Sequence, residues 1–296
     1  MNSDDLDKWR KAGNLASRAR DYGKGKIEEG IGKLELVESV ENFIRKNGGT
    51  PAFPSNLAVN DIAAHWTPNS NEKGVFKYGD IVKLDVGAEI DGYIGDTALT
   101  VEIGSDKYEE LLESSKNALY NAIDIMRSGV DTREIGETIQ KTIENSGFKP
   151  ISNLTGHAIE RYNLHTGIAI PNVKEGRGRV LEKGMIVAVE PFSTNGAGSV
   201  KGRHNSNIYQ IKRENEVKDE KANELLNEIK NRFKGLPFAE RWLHEFGTDQ
   251  RNSLQKLIRQ GAVNFYPVLE EMGGGMVSQF EHTIYLKGDE VEVLTK

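Results

Sequence analysis

One short pattern occurs twice in the chain and constrains its plan. Gly79-x-Ile-Val-x-Leu-Asp85 and Gly184-x-Ile-Val-x-Val-Glu190 share their spacing, and each closes an apolar, β-branched run on a carboxylate. Upstream of each lies a helical segment that stops at Asn-x-Gly followed by a proline: Asn47, Gly49 and Pro51 in the first case, Asn145, Gly147 and Pro150 in the second. Two matches in the same order predict two related halves, each made of helices that lead into strands. The periodicity places helices over Asp4 to Tyr22 and Lys33 to Lys46 in the first half, and over Lys107 to Arg127 and Thr132 to Asn145 in the second.

Between Gly79 and Ile103 the alternation GDIVKLDVGAEIDGYIGDTALTVEI breaks once, at Asp91-Gly92, which is the signal for a two-residue hairpin turn. An even turn there sets Asp85 opposite Ala98 and leaves Asp96 two residues away on the same face. Diagonal positions of this kind lie about 7 Å apart at Cβ, within reach of two ions about 3.5 to 4 Å apart. An odd turn without a bulge would separate the two carboxylates.

Asp85, Glu190 in IVAVEPF, and Glu281 between Phe280 and HTIYL all occupy positions that usually hold Val or Ile. Burying an ionised carboxylate costs several kcal/mol unless a cation or strong donors compensate. Any one of these acids alone could be a turn residue or an edge-strand charge. Four together, Asp96 included, call for a common cause, and a bound metal supplies one.

The chain contains no cysteine, which excludes disulfides, thiolate ligands and cysteine nucleophiles and leaves oxygen and imidazole for any chemistry. Among six histidines, His157 in LTGHAI, His165 in NLHTG and His65 in NDIAAHWTP stand in suggestive contexts. His204, His244 and His282 read as ordinary polar residues. Four oxygen ligands with one imidazole suit cobalt, manganese or iron at two shared sites, and zinc also belongs in that set.

A net charge of −6 argues against a whole-chain nucleic-acid binder, because phosphate contact needs clustered positive charge. From Val200 to Val268 the texture turns helical, with 13 Lys or Arg against 9 Asp or Glu, a balance of +4 that leaves the rest of the chain near −10. This stretch reads as an inserted helical subdomain, 200–268, within a catalytic body formed by 1–199 and 269–296. Its NELLNEIKNRFKG segment mixes both charge signs and is a poor DNA-reading helix, so no DNA partner is expected. No apolar run approaches the length of a bilayer span, and MNSDDLDKWRKAG is not a signal peptide, so the expectation is a soluble cytoplasmic protein with no membrane partner.

Five motifs, AFPSNLAVNDIAAHWTP, KLDVGAEIDGYIGDTALTV, LTGHAIERYNLHTG, VAVEPF and QFEHTIYL, resemble in order those of the type 2 methionine aminopeptidases of metallopeptidase family M24. The helical insertion falls between the fourth and fifth motifs, as in the second type, and the likeness covers essentially the whole chain. The start of the sequence lacks the charged extension of eukaryotic members, so the chain looks like an archaeal one.

The resemblance implies an α/β pita-bread fold with pseudo-two-fold symmetry and two divalent ions held by Asp85, Asp96, His157, Glu190 and Glu281, with Asp96 and Glu281 bridging. It implies Glu190 as general base and His65 and His165 as hydrogen-bond donors to the peptide and to the developing oxyanion. The thioether pocket would be walled by Phe53, Leu164, Phe192 and Tyr266, with Gly274 to Met276 shaping its entrance. The implied reaction is removal of an N-terminal methionine before a small residue by a hydroxide generated at the two ions. Nascent polypeptide N-termini would be the substrate, the ribosome a candidate partner, and the protein a monomer. A proline dipeptidase of the same fold would carry about 130 further residues ahead of the catalytic half, and a non-catalytic binding protein would have no need of the full ligand set.

Overall fold

The computed structural model describes residues 2–213, 217–247 and 250–296. Helix α1 (Ser3–Lys24) starts at Asn2, whose side chain accepts from the Asp5 amide, and α2 (Lys33–Lys46) stops at Asn47 ahead of Gly48, which has a positive φ. Strands β1 (Thr50–Pro51), β2 (Asn56–Val59), β3 (Ile62–Ala64), β4 (Ile81–Ile90) and β5 (Tyr93–Glu102) follow. In β4 the alternate residues Val82, Leu84, Val86 and Ala88 pack with Leu15, Leu36, Val40 and Ile44 of the two helices. Lys83, Asp85 and Gly87 therefore share the opposite face.

The β4–β5 turn is the two-residue type: Asp91 and Gly92 have φ of 53° and 86°, and Ile90 pairs with Tyr93. The register then runs without a slip, pairing Asp85 with Ala98 and Gly87 with Asp96. The sequence-based expectation for this hairpin is met in full.

The second half repeats the plan with α3 (Glu109–Ile125), α4 (Thr132–Asn145, opened by an Asp131/Glu134 capping box), β6 (Lys149–Pro150), β7 (Thr155–Ile159), β8 (Ala169–Pro171), β9 (Ile186–Val189) and β10 (Phe192–Thr194). The repeat extends to register. Pro51 pairs with Ala88, three residues beyond Asp85, and Pro150 pairs with Ser193, three residues beyond Glu190. The halves differ at Pro191. Proline has no amide hydrogen for the ladder, and the strand is interrupted between Val189 and Phe192.

Strand β11 (Val200–Ile211) leads to α5 (Glu220–Phe233), β12 (Phe238–Ala239), a 3-10 helix (Glu240–Phe246), α6 (Gln250–Arg259) and β13 (Val263–Glu271). Helical texture expected over 200–268 is thus found only in its middle. Both ends are strands, paired with each other from Val200↔Glu271 to Ile211↔Val263, and β13 also pairs with β3 at Leu269↔Ala64. Register shifts between Gly202 and Tyr209 blur the two-residue alternation that would have shown β11 as a strand. Residues 214–216 and 248–249 of this stretch lie outside the described residues. Leu225, Ile229, Phe233, Trp242, Leu254 and Leu257 form a core of their own.

The chain ends in β14 (Val277–Gln279), β15 (His282–Leu286) and β16 (Val291–Val293). β14 pairs with β10 and β15 with β9. Phe280, between them, packs against the helix–sheet cores of both halves. The Thr97 hydroxyl donates to the Glu281 carbonyl at 2.8 Å, the Thr100 hydroxyl to the Gln279 carbonyl at 2.7 Å, and the Thr283 hydroxyl to the Asp96 carbonyl at 2.7 Å. These threonines fasten β5 of the first half to the β14–β15 segment that completes the second.

Candidate metal centre

Where the halves meet, five side chains from five strand regions converge. Asp85 comes from β4, Asp96 from β5, His157 from β7, Glu190 from the Pro191 break and Glu281 from the junction of β14 and β15. The Glu281 amide donates to the carbonyl of Ala98, the residue opposite Asp85. His157 Nε2 lies 3.6 Å from Asp96 Oδ2 and 3.7 Å from Glu190 Oε1. Donor atoms of Asp96, His157 and Glu281 all fall within 4.8 Å of one another.

The electrostatics of this cluster need a cation. Burial pushes the Asp85 carboxyl up to about 7. Burial, reinforced by mutual repulsion, holds Asp96, Glu190 and Glu281 well above the ordinary carboxylate range. Asp85 Oδ1 and Asp96 Oδ1 are buried with no hydrogen-bond partner among the described residues, and so is His157 Nδ1. Burial lowers the His157 pKa well below its usual value, and the His165 ring, 4.2 Å away between centroids, lowers it further, so the imidazole is the neutral form that binds metals. Four oxygen donors, a neutral imidazole and orphaned buried oxygens fit a divalent metal.

Two neighbours orient the carboxylates. Asn56 Nδ2 donates to Asp85 Oδ2 at 3.2 Å from the paired position on β2, and Gln279 Nε2 donates to Glu190 Oε2 at 3.3 Å. Neither was singled out from sequence, nor were Thr97, Thr100 and Thr283. A polar residue repeatedly next to a strand-buried acid (Asn56 across from Asp85, Thr97 after Asp96) is the only local signal they carry.

A small cavity opens on the cluster. Its walls include Phe53, His65, Leu164, His165 and Tyr266 together with all five convergent residues. Gly87 makes room for Phe53, since a Cβ at residue 87 would fall 2.2 Å from the Phe53 ring. His65 has φ of 58°, a strained value for a side chain of its size, and its ring meets Tyr266 edge-on at 5.1 Å. Burial lowers the His65 pKa to about 4. His165 stands exposed at the rim.

Phe192 is placed elsewhere. It is not among the cavity's lining residues but is buried with Ala63, Ala64, Ile151, Val200 and Val277, because the strand restarts after Pro191 and the alternation running up to Glu190 does not continue through it. Ala64, Ile208 and Pro237 line the cavity instead. The latter two come from the 200–268 stretch. A larger surface groove of about 470 Å³ runs past Trp9, Tyr93, Arg161 and Lys183, but none of the five convergent residues lines it.

The family model for metallopeptidase family M24 matches residues 7–287. A methionine aminopeptidase of Pyrococcus horikoshii is 46% identical over 295 residues, spanning 99% of this chain and 100% of the relative. The crystal structure of a methionine aminopeptidase from Thermotoga maritima superposes with a TM-score of 0.73 at 25% identity, covering 100% of this chain and 98% of that one. A prolidase from Pyrococcus furiosus shares the fold at a TM-score of 0.65 and 17% identity, but only 65% of that longer chain is covered. With strand-borne carboxylates, a shared architecture and full-length similarity in agreement, the chain belongs to metallopeptidase family M24, among its methionine aminopeptidases.

Proposed function

We propose that this chain hydrolyses the peptide bond after an N-terminal methionine, acting on nascent polypeptides and peptides with a small second residue. The observation that carries this reading is the convergence of Asp85, Asp96, His157, Glu190 and Glu281 on a cavity whose remaining walls are mainly apolar and aromatic. Family membership brings use of a divalent metal. The donor set favours two ions, cobalt, manganese, iron or zinc, with Asp96 and Glu281 as the shared ligands. Metal bound there would supply a nucleophilic water of lowered pKa and polarise the scissile carbonyl.

The protein's own part follows from its geometry. Glu190 is buried and its proton affinity is raised well above the ordinary carboxylate value, which matches a group that accepts a proton at neutral pH and returns it to the leaving amine. Gln279 fixes one of its oxygens and so aims the other at the cluster. His65, neutral and strained, and His165, at the rim, are placed to donate to the peptide and to the charge growing on its carbonyl oxygen. Phe53, Leu164, Ile208, Pro237 and Tyr266 offer the thioether a dry slot, with Phe192 supporting it from behind Ala64.

The 200–268 stretch is proposed as an inserted subdomain that lends the cavity one wall. A cytoplasmic monomer working near the ribosome fits the substrate, and among the described residues no helix is long and apolar enough to cross a membrane. Mass-spectrometric product analysis on Met-Gly-, Met-Ala- and Met-Trp-led peptides beside Gly-Pro tests the reading. Methionine should be released from the first two and little from the third. Cleavage of Gly-Pro with methionine peptides left intact would replace this reading with a dipeptidase.

A further inference from the structure

Away from the metal centre lies a second buried charge cluster that the chemistry does not use. Glu41, on α2, is 1% exposed. Its Oε1 accepts from the Ser55 amide at 3.2 Å and from Arg241 Nη2, and its Oε2 accepts from Trp242 Nε1 at 2.8 Å. Arg241, also buried, turns its other terminal nitrogen to Thr67 Oγ1 at 3.0 Å and the Pro68 carbonyl at 3.1 Å. Its Nε has no hydrogen-bond partner among the described residues. A buried ion pair with an unsatisfied donor is a costly way to add stability, because apolar side chains of similar volume commonly do as well.

The groups this pair touches sit next to the walls of the cavity. Ser55 precedes Asn56, and its carbonyl accepts from the Thr67 hydroxyl at 2.9 Å. Thr67 follows His65 by two residues, its amide donates to the Ser206 carbonyl, and its carbonyl accepts from Asn207 Nδ2. Ile208 comes next and pairs with Ala239, two residues after Pro237 and two before Arg241. Of the residues that line the cavity, Phe53, Asn56 and His65 belong to the first half, and Ile208, Pro237 and Tyr266 belong to the 200–268 stretch. Arg241, itself in that stretch two residues after Ala239, turns its fork to Glu41, Thr67 and Pro68 of the first half, which a lysine ammonium could not do in the same geometry.

We propose that the Glu41–Arg241 pair is a positioning device for the methionine pocket, setting the gap between the wall that carries Phe53 and His65 and the wall that carries Ile208 and Pro237. The inference rests on reading the cavity as an aminopeptidase site. It adds that selectivity for the first side chain is governed by residues that touch neither substrate nor metal.

The test uses the metal-loaded chain and three variants: Glu41→Met/Arg241→Met, which removes both charges at similar volume, Arg241→Lys, which keeps the charge without the fork, and Thr67→Val, which removes one hydroxyl. Expected for the double variant and for Arg241→Lys are a KM for Met-Gly-Met-Met raised about tenfold, kcat within about threefold, and a narrower preference for Met over Leu-led peptides. Thr67→Val should shift KM the same way by about threefold. Calorimetric affinity for free L-methionine should weaken in parallel. Unchanged KM, preference and methionine affinity in a folded double variant, whatever its Tm, would make the pair merely structural, and Thr67→Val decides the matter if the double variant does not fold. Wild-type turnover of the peptide tests the aminopeptidase reading separately. If the wild type turns nothing over, the methionine affinities alone still decide the role of the pair.

Discussion

Asp85 and Asp96 face each other diagonally across one two-stranded ladder, Asp85 paired with Ala98 and Asp96 with Gly87, so that two carboxylates share a buried face with no side chain between them at residue 87. Among the described residues neither has enough donors to be an anion unaided: Asp85 receives one side-chain amide, from Asn56, and each leaves an oxygen unpartnered. The hairpin is therefore built for something positive, and the first two predictions follow from that.

Metal binding should release protons. With Asp85 at about 7 and Asp96, Glu190 and Glu281 raised further by burial, the metal-free chain at neutral pH holds protons that a cation must displace. Calorimetry in buffers of different ionisation heat should show net proton release, with apparent affinity rising as pH rises through about 7. The sign for stability is the reverse. Folded pKa values raised above unfolded ones favour the folded state below the unfolded carboxylate pKa of about 4 and lose that advantage as pH climbs through about 7, so the Tm of the metal-free protein should fall over this interval and metal should restore it.

Asn56→Ala should weaken metal binding without unfolding the chain. It removes the amide that holds Asp85 Oδ2 at 3.2 Å, and loss of such a supporting contact typically costs about 10- to 100-fold in affinity. Competition with a chromogenic chelator measures it.

Gly87→Ala should damage the pocket rather than the fold. The new methyl group would press on the Phe53 ring, a wall of the cavity, and move it. KM for a methionine-led peptide should rise about tenfold with a smaller change in kcat.

Glu271→Gln should destabilise. The buried Glu271 carboxylate accepts from the backbone amides of Ala197, Gly198, Gly273 and Gly275 and so latches two loops together. A glutamine amide turns one acceptor into a donor facing donors, at a cost of about 1 to 3 kcal/mol. Urea unfolding at neutral pH reads this directly.

Much of the arrangement was legible because local rules and the global fold agree. The Asp-Gly turn set the hairpin register, and with it the Asp85–Ala98 pair, before any tertiary contact was considered. Asn47 and Asn145 marked the ends of α2 and α4 because glycine follows at the position where the backbone turns left-handed. The misses have physical causes. β11 was hidden because its bulges spoil alternation, and Phe192, a pocket wall by family resemblance alone, is buried with Ala63, Ile151 and Val277 where the strand restarts after Pro191. Gln279 and the threonine fastenings depend on β14 and β15 meeting β5 across more than 170 residues. Glu41 and Arg241 meet across 200 residues, and no periodicity reports such a meeting.

The most direct test of the central claim is methionine release from Met-Gly-Met-Met by the metal-stripped chain before and after cobalt, manganese, iron or zinc is restored, with Glu190→Gln alongside. Expected are no release without metal, release on restoration, and a loss of at least about 100-fold in kcat for Glu190→Gln while the peptide still binds. Turnover by the stripped chain, or full activity of Glu190→Gln, would contradict the claim.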